Sequence, residues 1–207
     1  MGAIDSTGAV VIPIEYTNSL TSVNNGRLGV QKNASWFYVD MKGQIVSDKY
    51  DRIGNFHQGY ASVCLNKLWG AIDLQNRVVV PLEWQGVAPI VDPKLIWVKK
   101  DNLYYLYDGV QKSVRLKQGF ANVSNFDNEM AYVMSDGKWG IIDPDGKVLV
   151  PCLFEKEEDM VLAKQYMLAE DKKNLTEIEA LRVIARFDPD TNMFKITSVI
   201  PDKHWDY

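Results

Sequence analysis

One pattern limits what this chain can become: an aspartate that returns along it at nearly constant spacing. Asp5, Asp40, Asp73, Asp108 and Asp143 fall 35, 33, 35 and 35 residues apart. A period of this size marks an array of small supersecondary units, each unable to bury its own apolar face without a neighbour. The clearest copy runs Lys138-Trp139-Gly140-Ile141-Ile142-Asp143-Pro144-Asp145-Gly146-Lys147-Val148-Leu149-Val150-Pro151. Its halves, Trp139 to Asp143 and Lys147 to Val150, are rich in β-branched and aromatic residues and read as the two strands of a hairpin. Pro at the second turn position and Gly at the fourth suit a type I turn followed by a left-handed residue. Pro151, which has no N–H for a ladder, is expected to end the second strand.

Copies of the hairpin start at Gly2, Trp36 and Trp69, and a weaker one at Tyr104. In the third copy Asn76 stands where Gly8, Gly43 and Gly146 stand. Asn tolerates positive φ better than most residues, so this substitution predicts a left-handed backbone at that turn position. A second motif keeps the same phase: Val30, Val63, Val98 and Val133 are 33, 35 and 35 residues apart, each in an alternating run that reads as a third strand per unit. An aromatic residue three places after the proline position, at Tyr16, Tyr50, Trp84 and Phe154, adds a further anchor.

Trp-Gly followed by an Asp-x-x-Gly turn, a Val-Ile-Pro strand end and a Gly-x-Ala-x-Val strand resembles the WG-repeat (KWG) family of bacterial proteins. The resemblance covers the chain in four clear copies and implies an all-β repeat domain without an established general catalytic activity. The Tyr104 copy lacks the Trp-Gly pair and the Gly turn, and the Trp36 copy has Phe37 for Gly and Ser47 for Pro. We therefore expect one all-β array of about five hairpin-plus-strand units, approximately 1–35, 36–68, 69–103, 104–138 and 139–207. An insertion near 171–179 would precede a sixth hairpin that repeats the pattern at Phe187-Asp188-Pro189-Asp190. Both chain ends carry the same half of a unit, the hairpin, whereas a ring is usually closed by complementary halves. An open array is thus favoured over the alternative, a small five-bladed propeller-like ring of three short strands per blade.

Met1-Gly2-Ala3-Ile4-Asp5 aligns with Trp69-Gly70-Ala71-Ile72-Asp73, which places Met1 where the repeat has tryptophan. The expectation drawn from this is a fragment of a longer protein, exported or in the cell envelope if the native N-terminus was removed. No run of 18 apolar residues suggests a transmembrane segment. A net charge of −4 without any basic stripe argues against nucleic acid as a partner. Cys64 and Cys152 read as two buried small hydrophobes, with a disulfide as the alternative, and their spacing does not suggest zinc.

The five turn aspartates could form an acidic ladder for cations, but Asp at the first position of a turn ordinarily accepts bonds from backbone two residues on, and this accounts for their one shared position. Trp36, Trp69 and Trp139 are expected as core anchors, each stacked on the glycine of the next unit, with Gly70 and Gly140 allowing the close approach. Trp97 and Tyr132 occupy a position that is Gly29 or Ser62 elsewhere, and alternation turns them away from Val98 and Val133. They are the candidate ligand-binding residues, with Trp205 and Tyr207 at the terminus. His57 and His204 are isolated, and no catalytic, metal or cofactor motif occurs. The expected function is a noncatalytic module that binds or scaffolds protein, the alternative being a carbohydrate-binding module that uses the aromatics. Exposed sheet ends make end-to-end self-association a further expectation.

Overall fold

The computed structural model describes residues 1–19, 22–156, 183–188 and 193–199, with side chains described up to residue 156. Contacts divide the chain into two compact units, Met1–Gly119 and Phe120–Tyr207. Every regular element among the described residues is a β-strand and every strand pairing is antiparallel, so the all-β expectation holds.

The first unit opens with the hairpin β1 (Ala3–Ile4) and β2 (Val10–Ile12). A three-stranded sheet follows, β3 (Asn18–Ser19), β4 (Leu28–Lys32) and β5 (Ser35–Val39). Two four-stranded sheets complete it: β6 (Arg52–Ile53), β7 (Tyr60–Leu65), β8 (Leu68–Asp73), β9 (Val78–Trp84), then β10 (Gly86–Val87), β11 (Ile96–Lys100), β12 (Leu103–Asp108), β13 (Ser113–Val114). The second unit holds the four-stranded sheet β14 (Asn122–Val123), β15 (Ala131–Ser135), β16 (Lys138–Ile142), β17 (Val148–Phe154) and a hairpin, β18 (Val183–Asp188) with β19 (Met193–Val199). That hairpin is the sixth expected from the sequence, with Asp188 opposite Met193. The insertion near 171–179 lies outside the described residues.

Strands follow one another in sheet order, so each sheet is a meander whose register is copied from unit to unit. Val30, Val63, Val98 and Val133 face Phe37, Gly70, Tyr105 and Gly140 across the ladder. The two-residue loops joining these strands carry positive φ at both positions: Asn33 and Ala34, Asn66 and Lys67, Asp101 and Asn102, Asp136 and Gly137. This is the type I′ geometry, whose twist matches that of the strands. The short first strands β3, β6, β10 and β14 are the element the sequence did not announce. They raise the complete sheets to four strands, where three per unit were expected. Each sheet also combines the third strand of one sequence unit with the hairpin of the next, so sheet and sequence repeat are half a period out of phase.

On the outer side of each hairpin a carboxylate closes the turn and a glycine admits the outer strand. The left-handed position is filled by Gly8, Gly43, Asn76 and Gly146 with φ of 86°, 75°, 59° and 82°, so Asn76 does replace glycine conformationally. In the fourth copy Asp108 pairs with Ser113 and Lys112 takes the positive φ, one residue later. That longer turn explains why no glycine stands at the usual place. Pro81 and Pro151 lie inside β9 and β17, which continue to Trp84 and Phe154. The expectation that proline ends the strand is corrected: the strand is an edge, where a missing N–H breaks no ladder, and its register slips beside the proline, between Trp69 and Ala71 and between Trp139 and Ile141.

The core lies between successive sheets. One cluster joins Tyr38 and Tyr50 to Phe56, Ala61, Val63 and Ile72; the next joins Ala71, Val80 and Trp84 to Ile90, Ile96, Val98 and Tyr107. Neighbouring residues Ala71 and Ile72 thus enter different clusters. The sheet β6–β9 is buried on both faces, which is why its strands read as nearly continuous apolar runs. Among the described residues no helix is long and apolar enough to cross a membrane.

Candidate functional site

Each turn aspartate is occupied by backbone. Asp5 Oδ1 accepts the N–H groups of Thr7 and Ala9 at 2.8 and 3.0 Å, and Asp40 Oδ1 those of Lys42 and Gln44 at 2.8 and 2.9 Å. Asp73 repeats this with Gln75 and Arg77, and Asp143 with Asp145 and Lys147. Asp108 takes Val110 and Gln111 in its longer turn. The Thr7 hydroxyl and backbone N–H groups hold the Asp5 carboxyl below its ordinary value, and the Gln44 and Lys42 N–H groups do the same for Asp40. At Asp73 burial pushes upward, but the backbone N–H and guanidinium of Arg77, with Nε 2.7 Å from Oδ2, bring the net shift below the ordinary carboxylate value. These carboxylates are spent on turns, and among the described residues no cluster of three His, Cys, Asp or Glu suited to a metal forms.

The tryptophans and glycines work differently from the expectation. Trp139 is buried, but Trp36 and Trp69 are only half-buried. A Cβ on Gly70 would lie 2.5 Å from the Val80 carbonyl oxygen, on Gly140 2.6 Å from that of Val150, and on Gly2 2.6 Å from that of Ile12. The glycine therefore makes room for the outer strand of its own hairpin, ten residues on, and not for the indole of the next unit. Where the position holds a large side chain, the outer strand suffers: with Tyr105 it shrinks to β13, and with Phe37 only the isolated bridges Val39 to Ile45 and Trp36 to Tyr50 remain.

The most consistently buried aromatic is the one three places after the proline position, which in β9 and β17 ends the outer strand. Tyr16, Tyr50, Trp84 and Phe154 are 4 to 5% exposed. Phe120, at 3%, occupies the same place in the fourth copy, where Lys117 stands instead of proline and hides the pattern. Trp69 lies directly opposite Trp84, and Trp139 opposite Phe154. The Tyr50 hydroxyl donates to Asn76 Oδ1, and Asn76 Nδ2 to Asp48 Oδ2 at 3.0 Å, so the glycine substitute also ties two units together. Burial, with the nearby Asp48 carboxylate, raises the Tyr50 phenol to about 12.

Trp97 is corrected as an exposed ligand platform: it is 2% exposed. Alternation does turn it away from Val98, but a sheet covered on both faces gives the opposite side no access to solvent. Tyr132 is half-buried, and its N–H donates to Ser124 Oγ. Trp205, Tyr207 and His204 lie outside the described residues. Cys64 and Cys152 are free thiols, each pushed above its ordinary value first by burial, which disfavours the thiolate a nucleophile requires. His57 is exposed at a turn.

What the repeat does present to solvent is an aliphatic side chain at one register position of each unit, which alternation alone did not single out. Val10, Ile45, Val78 and Val114 in the first unit are 59, 53, 42 and 39% exposed, and Val148 in the second is 41% exposed. Each lies opposite the residue just before its turn aspartate: Ile4, Val39, Ile72, Tyr107 and Ile142 respectively. Scattered exposed aliphatics are ordinary, but recurrence at one register position is a property of the unit. Strand propensity would be served equally by threonine, which none of the five positions carries. Its chemistry is that of a recurring apolar contact, carried by strand residues at Val10, Val78, Val114 and Val148 and by an isolated bridge at Ile45.

The family model for the WG-containing repeat matches residues 1–36, 36–69, 69–104 and 139–156. The unmatched stretch 105–138 contains the longer turn at Asp108. No curated protein matches the chain. Among solved structures, the chain is similar to a eukaryotic initiation factor at 12% identity, covering 75% of this chain and 50% of that one with a TM-score of 0.48. It is also similar to Kluyveromyces lactis Hsv2, at 14% identity over 61% of this chain and 46% of that one, TM-score 0.40. A Bacteroides caccae protein of unknown function is similar at 15% identity, over 72% and 73%, with a TM-score of 0.30. The chain spans about half the length of the first two.

Proposed function

Because this chain belongs to the family of WG-containing repeats, we propose that it is a noncatalytic β-repeat module that binds a protein partner through the exposed aliphatic residues of its first unit, Val10, Ile45, Val78 and Val114. The observation carrying this reading is the recurrence of Val10, Ile45, Val78, Val114 and Val148 at one exposed register position. A repeated apolar contact on a rigid scaffold suits a protein surface with matching apolar spacing. The noncatalytic reading is supported by turn aspartates committed to backbone and by thiols held in their neutral form. A carbohydrate platform needs an exposed ring, and Trp97 does not supply one.

The test is photo-crosslinking in cells from a benzophenone side chain placed at Val78 or Ile45, with a control position at exposed Lys100 on β11. A discrete protein adduct from the first two sites, lost when the other three of Val10, Ile45, Val78 and Val114 are changed to Thr, is the expected result. Adducts equal from Lys100, or unaltered by the three threonines, would overturn the proposal.

A further inference from the structure

Asn25-Gly26 is the one Asn-Gly pair in the sequence, and it sits at the tip of a hairpin loop. Asn24 and Arg27 form an isolated antiparallel bridge, with Asn24 N–H donating to the Arg27 carbonyl at 3.0 Å and Arg27 N–H to that of Asn24 at 2.9 Å. The two residues between them hold φ of 50° and 70°, the left-handed pair that such a loop requires. Asn25 is exposed, and a Cβ added to Gly26 would meet nothing within 4 Å. Among the described residues neither the Asn25 side-chain amide nor the Gly26 N–H forms a hydrogen bond. Other asparagines lack this combination. Asn33, Asn66 and Asn128 also hold positive φ, but Ala34, Lys67 and Glu129 follow them. Asn18 and Asn122 each accept, at Oδ1, the N–H of the next residue at 2.9 Å, and both polar atoms of the Asn76 amide are bonded, to Tyr50 and Asp48.

We propose that Asn25-Gly26 is a self-modifying site, where the asparagine converts to aspartate and isoaspartate with water as the only co-reactant. The Gly26 nitrogen gives up its proton to solvent and bonds to Asn25 Cγ. The Cγ–Nδ2 bond then breaks, and the side-chain nitrogen takes a proton from water and leaves as ammonia, so that a succinimide ring remains. Water opens this ring at either carbonyl. Breaking the bond between the Gly26 nitrogen and Cγ gives aspartate in the ordinary chain. Breaking the bond between that nitrogen and the backbone carbonyl carbon gives isoaspartate, with the chain routed through the side chain and one methylene longer. Glycine at position 26 matters twice: no Cβ crowds the attacking nitrogen, and the loop is free to leave its left-handed pair during ring closure. The consequence is structural, because a two-residue loop fits its bridge and a loop with an added methylene does not. Arg27 is the residue displaced. Its Nη2 donates to the Leu74 carbonyl at 3.2 Å and so ties this loop to the turn between β8 and β9, within the same compact unit. Isoaspartate at this position therefore loosens a tie between two sheets, and the gained carboxylate takes the net charge of −4 one unit further negative.

Ageing the folded 207-residue chain in mildly alkaline and mildly acidic buffer, followed by tryptic peptide mapping with electron-transfer fragmentation, tests this. The peptide ending at Arg27 is expected to gain the mass of an NH-to-O exchange at Asn25 and to split into aspartyl and isoaspartyl forms. The gain is faster at the alkaline pH, because the attacking nitrogen must lose its proton. Gly26→Ala and Asn25→Gln each suppress it, the first by crowding the nitrogen and the second by requiring a larger ring. Asn25→Gln also keeps the turn, since Gln58 holds φ of 47° in the corresponding loop between His57 and Tyr60. Fresh Asn25→Asp, which supplies the charge without the methylene, is expected to melt with the fresh wild-type chain. The aged wild-type chain melts below it and below an equally aged Asn25→Gln. An Asn25 that keeps its mass, a gain shared equally by Asn33 and Asn66, or an aged chain that melts with aged Asn25→Gln overturns the proposal.

Discussion

Replacing Gly70 by alanine separates a steric role for the repeat glycine from a merely permissive one. In an ordinary strand alanine is about 0.5–1 kcal/mol better than glycine, because it loses less backbone entropy on folding. At Gly70 the added Cβ would lie 2.5 Å from the Val80 carbonyl oxygen and 3.0 Å from the Leu82 backbone nitrogen. No side-chain rotation relieves contacts with backbone, so β9 must move off β8 at the bulge beside Pro81. Overpacking of this kind costs roughly 1–3 kcal/mol, and after the propensity gain a net loss of about 1–2 kcal/mol is expected. For a chain of this size that lowers Tm by roughly 2–4 °C per kcal/mol, measurable by circular dichroism melting. Gly86 is the internal control: a Cβ there would meet only Lys99 Cβ at 3.6 Å, so Gly86→Ala is expected to be neutral or stabilising. If Gly70→Ala melts at or above the wild-type temperature, the close approach of the outer strand is not what fixes this residue.

Two further outcomes follow from turn geometry. Lys67 holds φ at 67° in a type I′ turn where the second unit has Gly137; Lys67→Gly removes the left-handed penalty and is expected to stabilise by up to about 1 kcal/mol in urea titration, while loss of stability would contradict the assignment. Asp73 has a folded pKa below its ordinary value of 3.8, so its contribution is present above that value and is lost as pH falls through the lower folded one. Asp73→Asn should therefore lower stability at neutral pH and flatten the acid limb below about pH 4, by roughly 0.5 kcal/mol after solvent screening; an unchanged acid limb would refute the linkage.

The sequence makes the period, the all-β class, the turn aspartates and the left-handed Asn76 legible, because turns and register are local and repeat with the chain. The strand valines are legible for the same reason. The first strands escape notice because two residues cannot display an alternation. Phe120 escapes because no proline precedes it. Trp97 misleads, since alternation reports which face a side chain takes and not whether that face is covered; Ala71 and Ile72 entering different cores show how both can be. Gly70 misleads in a related way, for its need arises ten residues along its own hairpin and not in a neighbouring unit. The recurring aliphatic position becomes visible only when exposure is set beside register, since valine in a strand otherwise signals core.

Trp69 and Trp84 stand directly opposite one another, one half-buried and the other 5% exposed within the cluster shared by two sheets. They offer the most direct comparison of which aromatic holds the repeat together, because residue type and sheet are the same. Denaturant unfolding of Trp84→Ala should reveal a loss of about 3 kcal/mol or more, even after relief of its buried indole N–H, which has no hydrogen-bond partner among the described residues. Trp69→Ala should lose less than about half of that. Equal losses, or a larger one at Trp69, would return the anchoring role to the tryptophan of the Trp-Gly pair and contradict the account.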